Sequence, residues 1–200
     1  MILSLSIPIM DTIEQLTESV DKDTKHWMLG GSCGLALQGV SLGREPRDVD
    51  IYADEIDAKR LQEQWKLFAI DVPEWNETLT YRSLLSHYQI GEVPVELVGQ
   101  FIVTTPNCQY KTIIHDSLWN HRITYEIAHS SIALMPLAHE LVFNILRQRE
   151  DRVSSIARVI NTAPEEHIAA MSAVLANCSA PEYMAALVGG RCPNIKAHFG

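Results

Sequence analysis

The chain has 200 residues, 46% hydrophobic and 20% charged, with 16 Lys and Arg against 25 Asp and Glu for a formal net charge of -9. That apolar fraction excludes a disordered chain, and 10 Gly with 9 Pro exclude a fibrous or low-complexity one. The acidic balance speaks against a broad grip on nucleic acid or anionic lipid, which need clustered Lys and Arg; a nucleotide stays possible, because a metal and backbone N–H groups can hold its phosphates.

No run of about 18 apolar residues occurs, so no membrane span is expected. Met1 to Met10 are apolar without a basic lead-in or a clear small-residue cleavage site, and read as a lead into the core rather than a secretion signal. Asp11 is expected to cap a helix over 11–20, with Ile13, Leu16 and Val20 at helical spacing. His26–Leu29 is a short apolar run that stops at Gly30-Gly31. Ser32–Val40 reads as a short helix, and 39–47 as a loop by its Gly and Pro. Val49 and Ile51 alternate with Asp48 and Asp50 as a strand does. Asp54 should cap a helix reaching Phe68. Leu84–Ile90 and Pro94–Val98 look like a hairpin through Gly91-Glu92, and Ile123–His129 with Ile132–Met135 like another pair. From Pro136 the pattern turns helical, with Leu137, Leu141, Ile145 and Leu146 as an apolar stripe and further helices near 152–161, 164–177 and 181–188. The expectation is an α+β fold. A small mixed sheet with flanking helices fills 1–135, and a helical segment, 136–200, packs on it.

Residues 27–53 carry the chemistry. An apolar strand enters Gly30-Gly31-Ser32 and leaves as a helix, a turn whose amides can approach an anion while Ser32 adds a hydroxyl. No Gly-Lys-Ser/Thr follows, so it is not a Walker A loop. Asp48 and Asp50, two apart on a strand, point the same way, and such a pair repels unless a hard divalent cation resolves it. Glu96 interrupts the apolar run Pro94–Val98 and faces away from Val95 and Leu97; its rivals as a third acid are Glu92 and Asp71. If the two strands are neighbours, three acids meet.

This set resembles the nucleotidyltransferase superfamily, the DNA polymerase β-like fold, in which an apolar strand, a Gly-Gly or Gly-Ser turn and a helix precede Asp-x-Asp and a later third acid. Gly43 to Ile51 is also similar to the matching region of tRNA CCA-adding enzymes, but the Arg and Asp that follow their glycines are absent here, and tRNA addition is not carried over. A weaker likeness to small bacterial nucleotidyltransferase-like proteins lies in 136–156, without their lysine. The resemblance implies transfer of a nucleoside monophosphate, AMP from ATP, to a hydroxyl of a small molecule or protein. Asp48, Asp50 and Glu96 would hold two Mg2+ ions, with Glu96 drawing the acceptor's proton. Gly30, Gly31 and Ser32 would hold the triphosphate, with Arg44 and Arg47 nearby. The alternatives are an inactive binding or antitoxin module with this fold, and a metal-dependent phosphohydrolase.

Other motifs read more plainly. Cys33, Cys108, Cys178 and Cys192 form no Cys-x-x-Cys pair, which suits reduced thiols in a cytoplasm. His139-Glu140 lacks the second His of a zincin, since Phe143 stands there. Arg147, Arg149 and Arg152 are expected to complement a helix C-terminus.

Overall fold

A computed structural model describes residues 5–127, 130–196 and 198. Helix α1 (Ile7–Ser19) starts ahead of Asp11, with Pro8 in its first turn, and buries Ile9, Ile13 and Leu16. Strand β1 (Trp27–Leu29) and helix α2 (Gly31–Leu37) flank the glycine turn. Strand β2 (Val49–Ala53) begins one residue after Asp48, and helix α3 (Glu55–Gln64) gives way to a 3-10 turn at Lys66–Phe68. Asp54 occupies the N-cap position of α3, but its side chain makes no capping hydrogen bond. Its carboxylate accepts the Ile114 and His115 N–H groups instead, at 2.9 and 2.8 Å.

The sheet continues with β3 (Glu74–Glu77), β4 (Tyr81–Ile90), β5 (Val93–Thr104), β6 (Gln109–Lys111), β7 (Ile123–Ile127) and β8 (Ser130–Leu134). Residues 128 and 129, the expected end of the seventh strand, lie outside the described residues, as do 1–4. The strand order is β3-β4-β5-β2-β1-β8-β7, with β6 on the far end of β5. Pairs β2–β5 and β1–β8 are parallel and the rest antiparallel, so the sheet is mixed. The sequence reading missed β3 and β6. Glu74-Trp75-Asn76-Glu77 is exposed throughout and has no apolar alternation, so only its pairing with β4 makes it a strand. β5 runs past Val98 through Gly99 and Gln100, where a positive φ of 47° marks the irregularity that ended the strand on sequence grounds.

Alternation along the strands divides the sheet into two faces. Val49, Ile51, Val95 and Leu97 point to the face covered by α1 and α3, where Trp65 packs edge-on against Tyr88 at 5.4 Å. The opposite face carries Asp50 and Glu96. Helix α4 (Leu137–Leu146) roofs part of it, and every one of its residues is buried. Helices α5 (Glu150–Thr162), α6 (Ile168–Ala176), α7 (Pro181–Arg191) and the short α8 (Pro193–Lys196) pack behind α4 and one another. The helix expected over 164–177 begins as a 3-10 turn, Pro164–His167. Among the described residues no helix is long and apolar enough to cross a membrane.

Candidate active site

The glycine turn is shaped around Asp50. The Gly30 N–H donates to the Asp50 carbonyl at 3.0 Å. Gly31 has φ +56°, and a Cβ there would lie 1.8 Å from Asp50 Oδ2, so only glycine leaves room for the carboxylate. Its N–H donates to Glu140 Oε1 at 2.8 Å. The sequence assigns this turn to a phosphate; in the structure the Gly30 and Gly31 amides meet protein acceptors. The turn therefore orients the acids. Its Ser32 hydroxyl accepts a hydrogen bond from Arg152 Nη2 at 3.1 Å.

The acids meet through strand register. β2 and β5 run parallel with Asp50 opposite Glu96, and neighbouring strands lie about 4.8 Å apart. Asp48 stands exposed in the bend before β2, and all three line one cleft of ≈ 430 Å³. Burial, then the charges of Asp48 and Glu96, push the Asp50 carboxyl up to about 7. Burial likewise raises Glu96, opposed by His87 and Arg147. His87 Nε2 lies 3.7 Å from Glu96 Oε2, while its backbone N–H and Nδ1 are held by the two oxygens of Asp71, at 2.8 and 2.5 Å. Asp71 thus holds His87 and does not line the cleft. Neither does Glu92. Cys33, fully buried, has its thiol pushed up by burial and donates to the Asp48 carbonyl at 3.2 Å, which makes it a packing residue.

Hard carboxylate donors crowded on one face suit a hard divalent cation. Among the described residues no three such side chains already enclose a common point.

Four arginines line the same cleft: Arg44, Arg147, Arg149 and Arg152. Arg47 is exposed and does not line it. The expectation that the last three complement one helix end is corrected by the break at Gln148, φ +57°. Arg147 caps α4, but Arg152 sits in the first turn of α5, where the helix dipole opposes a cation. Its side chain is only 11% exposed, its Nη1 has no partner among the described residues, and burial and Arg149 depress its pKa. A guanidinium whose Nη1 is buried and unpaired, beside two further arginines, suits an anion.

Opposite, Tyr81 stacks on Phe101 at 6.0 Å, Phe143 meets Phe101 edge-on at 5.2 Å, and Arg147 lies 4.8 Å over Phe143. Sequence reasoning missed Glu140 and these α4 residues. The available signal was a second stripe on an apolar helix: Glu140, Asn144 and Arg147 recur at i, i+4 and i+7 and all line the cleft.

No protein-family model matches the sequence, and no curated protein matches it. Solved structures do. The structure of a candidate nucleotidyltransferase from Thermotoga maritima superposes with a TM-score of 0.64 at 19% identity, covering 80% of this chain and 96% of that one. The antibiotic-resistance factor ANT(2'')-Ia in solution superposes with a TM-score of 0.51 at 11% identity, covering 95% and 96%. The chain has the nucleotidyltransferase-like fold.

Proposed function

We propose that this chain is a divalent-metal-dependent nucleotidyltransferase, moving a nucleoside monophosphate, AMP from ATP, onto a hydroxyl of a small molecule or a protein. The observation that carries the reading is the in-register pair Asp50–Glu96, with Asp48 beside it, in a cleft whose other wall is arginine. The fold is the one expected of such an enzyme. ATP as donor rests on the sequence resemblance.

Ser32, Arg149 and Arg152 line the cleft together and would bind the β- and γ-phosphates beside the Gly30-Gly31 turn. Glu96 lies on the β4 side, so the acceptor would arrive there. Asp48, Asp50 and Glu96 would hold Mg2+, which when bound neutralises charge on the phosphates and acidifies the acceptor hydroxyl. The acceptor oxygen forms a bond to the α-phosphorus, the bond from that phosphorus to the bridging oxygen breaks, and pyrophosphate leaves. Glu96 would take the acceptor's proton. The arginines offset the charge that builds on the phosphoryl oxygens.

ATP labelled at its α-phosphate, incubated with the protein, Mg2+ and a panel of hydroxyl compounds and proteins, tests this. Label transferred to an acceptor with release of pyrophosphate supports it. Label recovered as free AMP with no acceptor modified would favour hydrolysis, and unchanged ATP across the panel would favour a binding module.

A further inference from the structure

We infer that Glu140 is a positioning residue for the acidic centre, acting through the Gly31 amide. The inference rests on the reading just proposed and extends it to a residue of the C-terminal helices. Glu140 is 1% exposed, on a helix whose every residue is buried. A carboxylate is costly there unless it is used, and this one reaches across 109 residues of sequence to accept the Gly31 N–H at 2.8 Å.

Gly31 is in turn locked against Asp50. The volume a side chain would fill at Gly31 is occupied by Asp50 Oδ2, and the preceding amide, Gly30, donates to the Asp50 carbonyl at 3.0 Å. Gly30 is equally confined, since a Cβ there would lie 2.7 Å from Tyr52 and 3.0 Å from Glu140 Oε1. A shift of the turn therefore moves the Asp50 carboxylate. Helix α4 cannot shift freely, because all of its residues are buried and His139 is hydrogen-bonded to the Tyr110 hydroxyl of β6 at 2.8 Å. The chain Glu140–Gly31–Asp50 passes the placement of α4 to the acids. Outer partners of this kind tune metal affinity without touching the metal.

Glu140→Ala and Glu140→Gln test it, with Mn2+ alone as the probe. Three readouts are needed: Mn2+ affinity by electron paramagnetic resonance, Gly31 amide hydrogen exchange by NMR, and fold by circular dichroism. In Glu140→Ala the Gly31 amide should exchange at least about tenfold faster, and Mn2+ should bind about 10–100-fold more weakly, while the protein stays folded. Glu140→Gln keeps an acceptor oxygen in place and should recover most of both losses. A folded Glu140→Ala protein with Mn2+ affinity within about twofold of wild type overturns the inference, as does an unchanged Gly31 exchange rate; a purely structural Glu140 would lower stability and leave metal affinity alone. If the Ala variant does not fold, Glu140→Asp, whose acceptor is drawn back by one methylene, is read the same way. Wild-type protein that binds no Mn2+ defeats the metal reading itself, an outcome separate from the others.

Discussion

Asp50 is held where burial and two neighbouring carboxylates act on it together, and its ordinary acidity is the casualty. Asp50→Asn removes one member of that cluster and keeps its shape. Transfer should fall by at least about 100-fold, while the melting temperature stays level or rises slightly because a like charge is gone. Radiolabel transfer and a thermal melt of the same sample check both halves. Retained transfer would refute the metal role. The pH dependence of stability follows from the same groups. Asp50 and Glu140 have carboxyls raised from 3.8 to about 7 and from 4.5 to about 8. A raised carboxyl binds more protons folded than unfolded, so its contribution is full below the unfolded value and is lost as pH climbs through the folded one. His139 has the opposite sign: burial lowers it from 6.5 to about 3, so it costs stability as pH falls below 6.5 and adds nothing above. The two effects oppose each other at lower pH and separate above it. In EDTA the urea midpoint should therefore decline from pH 6.5 to 8, and Mg2+ should flatten that decline. A midpoint that rises over this window would contradict the buried-carboxyl account.

At the scale of elements, the parallel register of β2 and β5 makes the site, and it was half visible in the residues. The alternation of Asp48, Val49, Asp50 and Ile51, and of Val95, Glu96 and Leu97, assigns each acid to a strand face, because period-2 burial is written locally. Which strands become neighbours is not written locally; that depends on the crossover from β2 through α3, β3 and β4 to β5. The turn was legible as glycine-dependent, but not the use of its amides, since their acceptors are Asp50 on the next strand and Glu140 on a helix more than a hundred residues away. Gly31→Ala tests the turn. It combines a left-handed backbone with a Cβ driven into a carboxylate, so a loss of about 1–3 kcal/mol and of Mn2+ binding is expected. A variant with wild-type stability and binding would show that the turn can relax. Helix α4 makes a second case. A protein ending at Met135 would expose the face that all of α4 now covers, and should lose its near-ultraviolet circular dichroism and cooperative unfolding. Cooperative unfolding of that fragment would instead make 1–135 an independent unit.

For the whole molecule, the net charge of -9 is distributed rather than uniform. One cleft gathers carboxylates on its floor and four arginines around them, so an anionic nucleotide and its cations have complementary places inside an acidic protein. The arginines were the part of this least legible in sequence. They looked like helix-end charges because the break at Gln148, which puts Arg149 and Arg152 on a second helix facing the turn, comes from a single left-handed residue with no glycine or proline to announce it. The fold class was legible because it rests on patterns within each element, and the basic wall was not because it rests on how two helices meet. A thermal melt of wild type and Asp50→Asn across a series of MgATP concentrations asks whether these acids hold a metal–nucleotide complex. Ligand bound only to the folded state stabilises as RT ln(1 + [L]/Kd). The wild-type melting temperature should climb steadily with MgATP, with little or no rise in Asp50→Asn; a wild-type protein unmoved at millimolar MgATP, or a variant that climbs equally, would contradict a metal–nucleotide site on these acids.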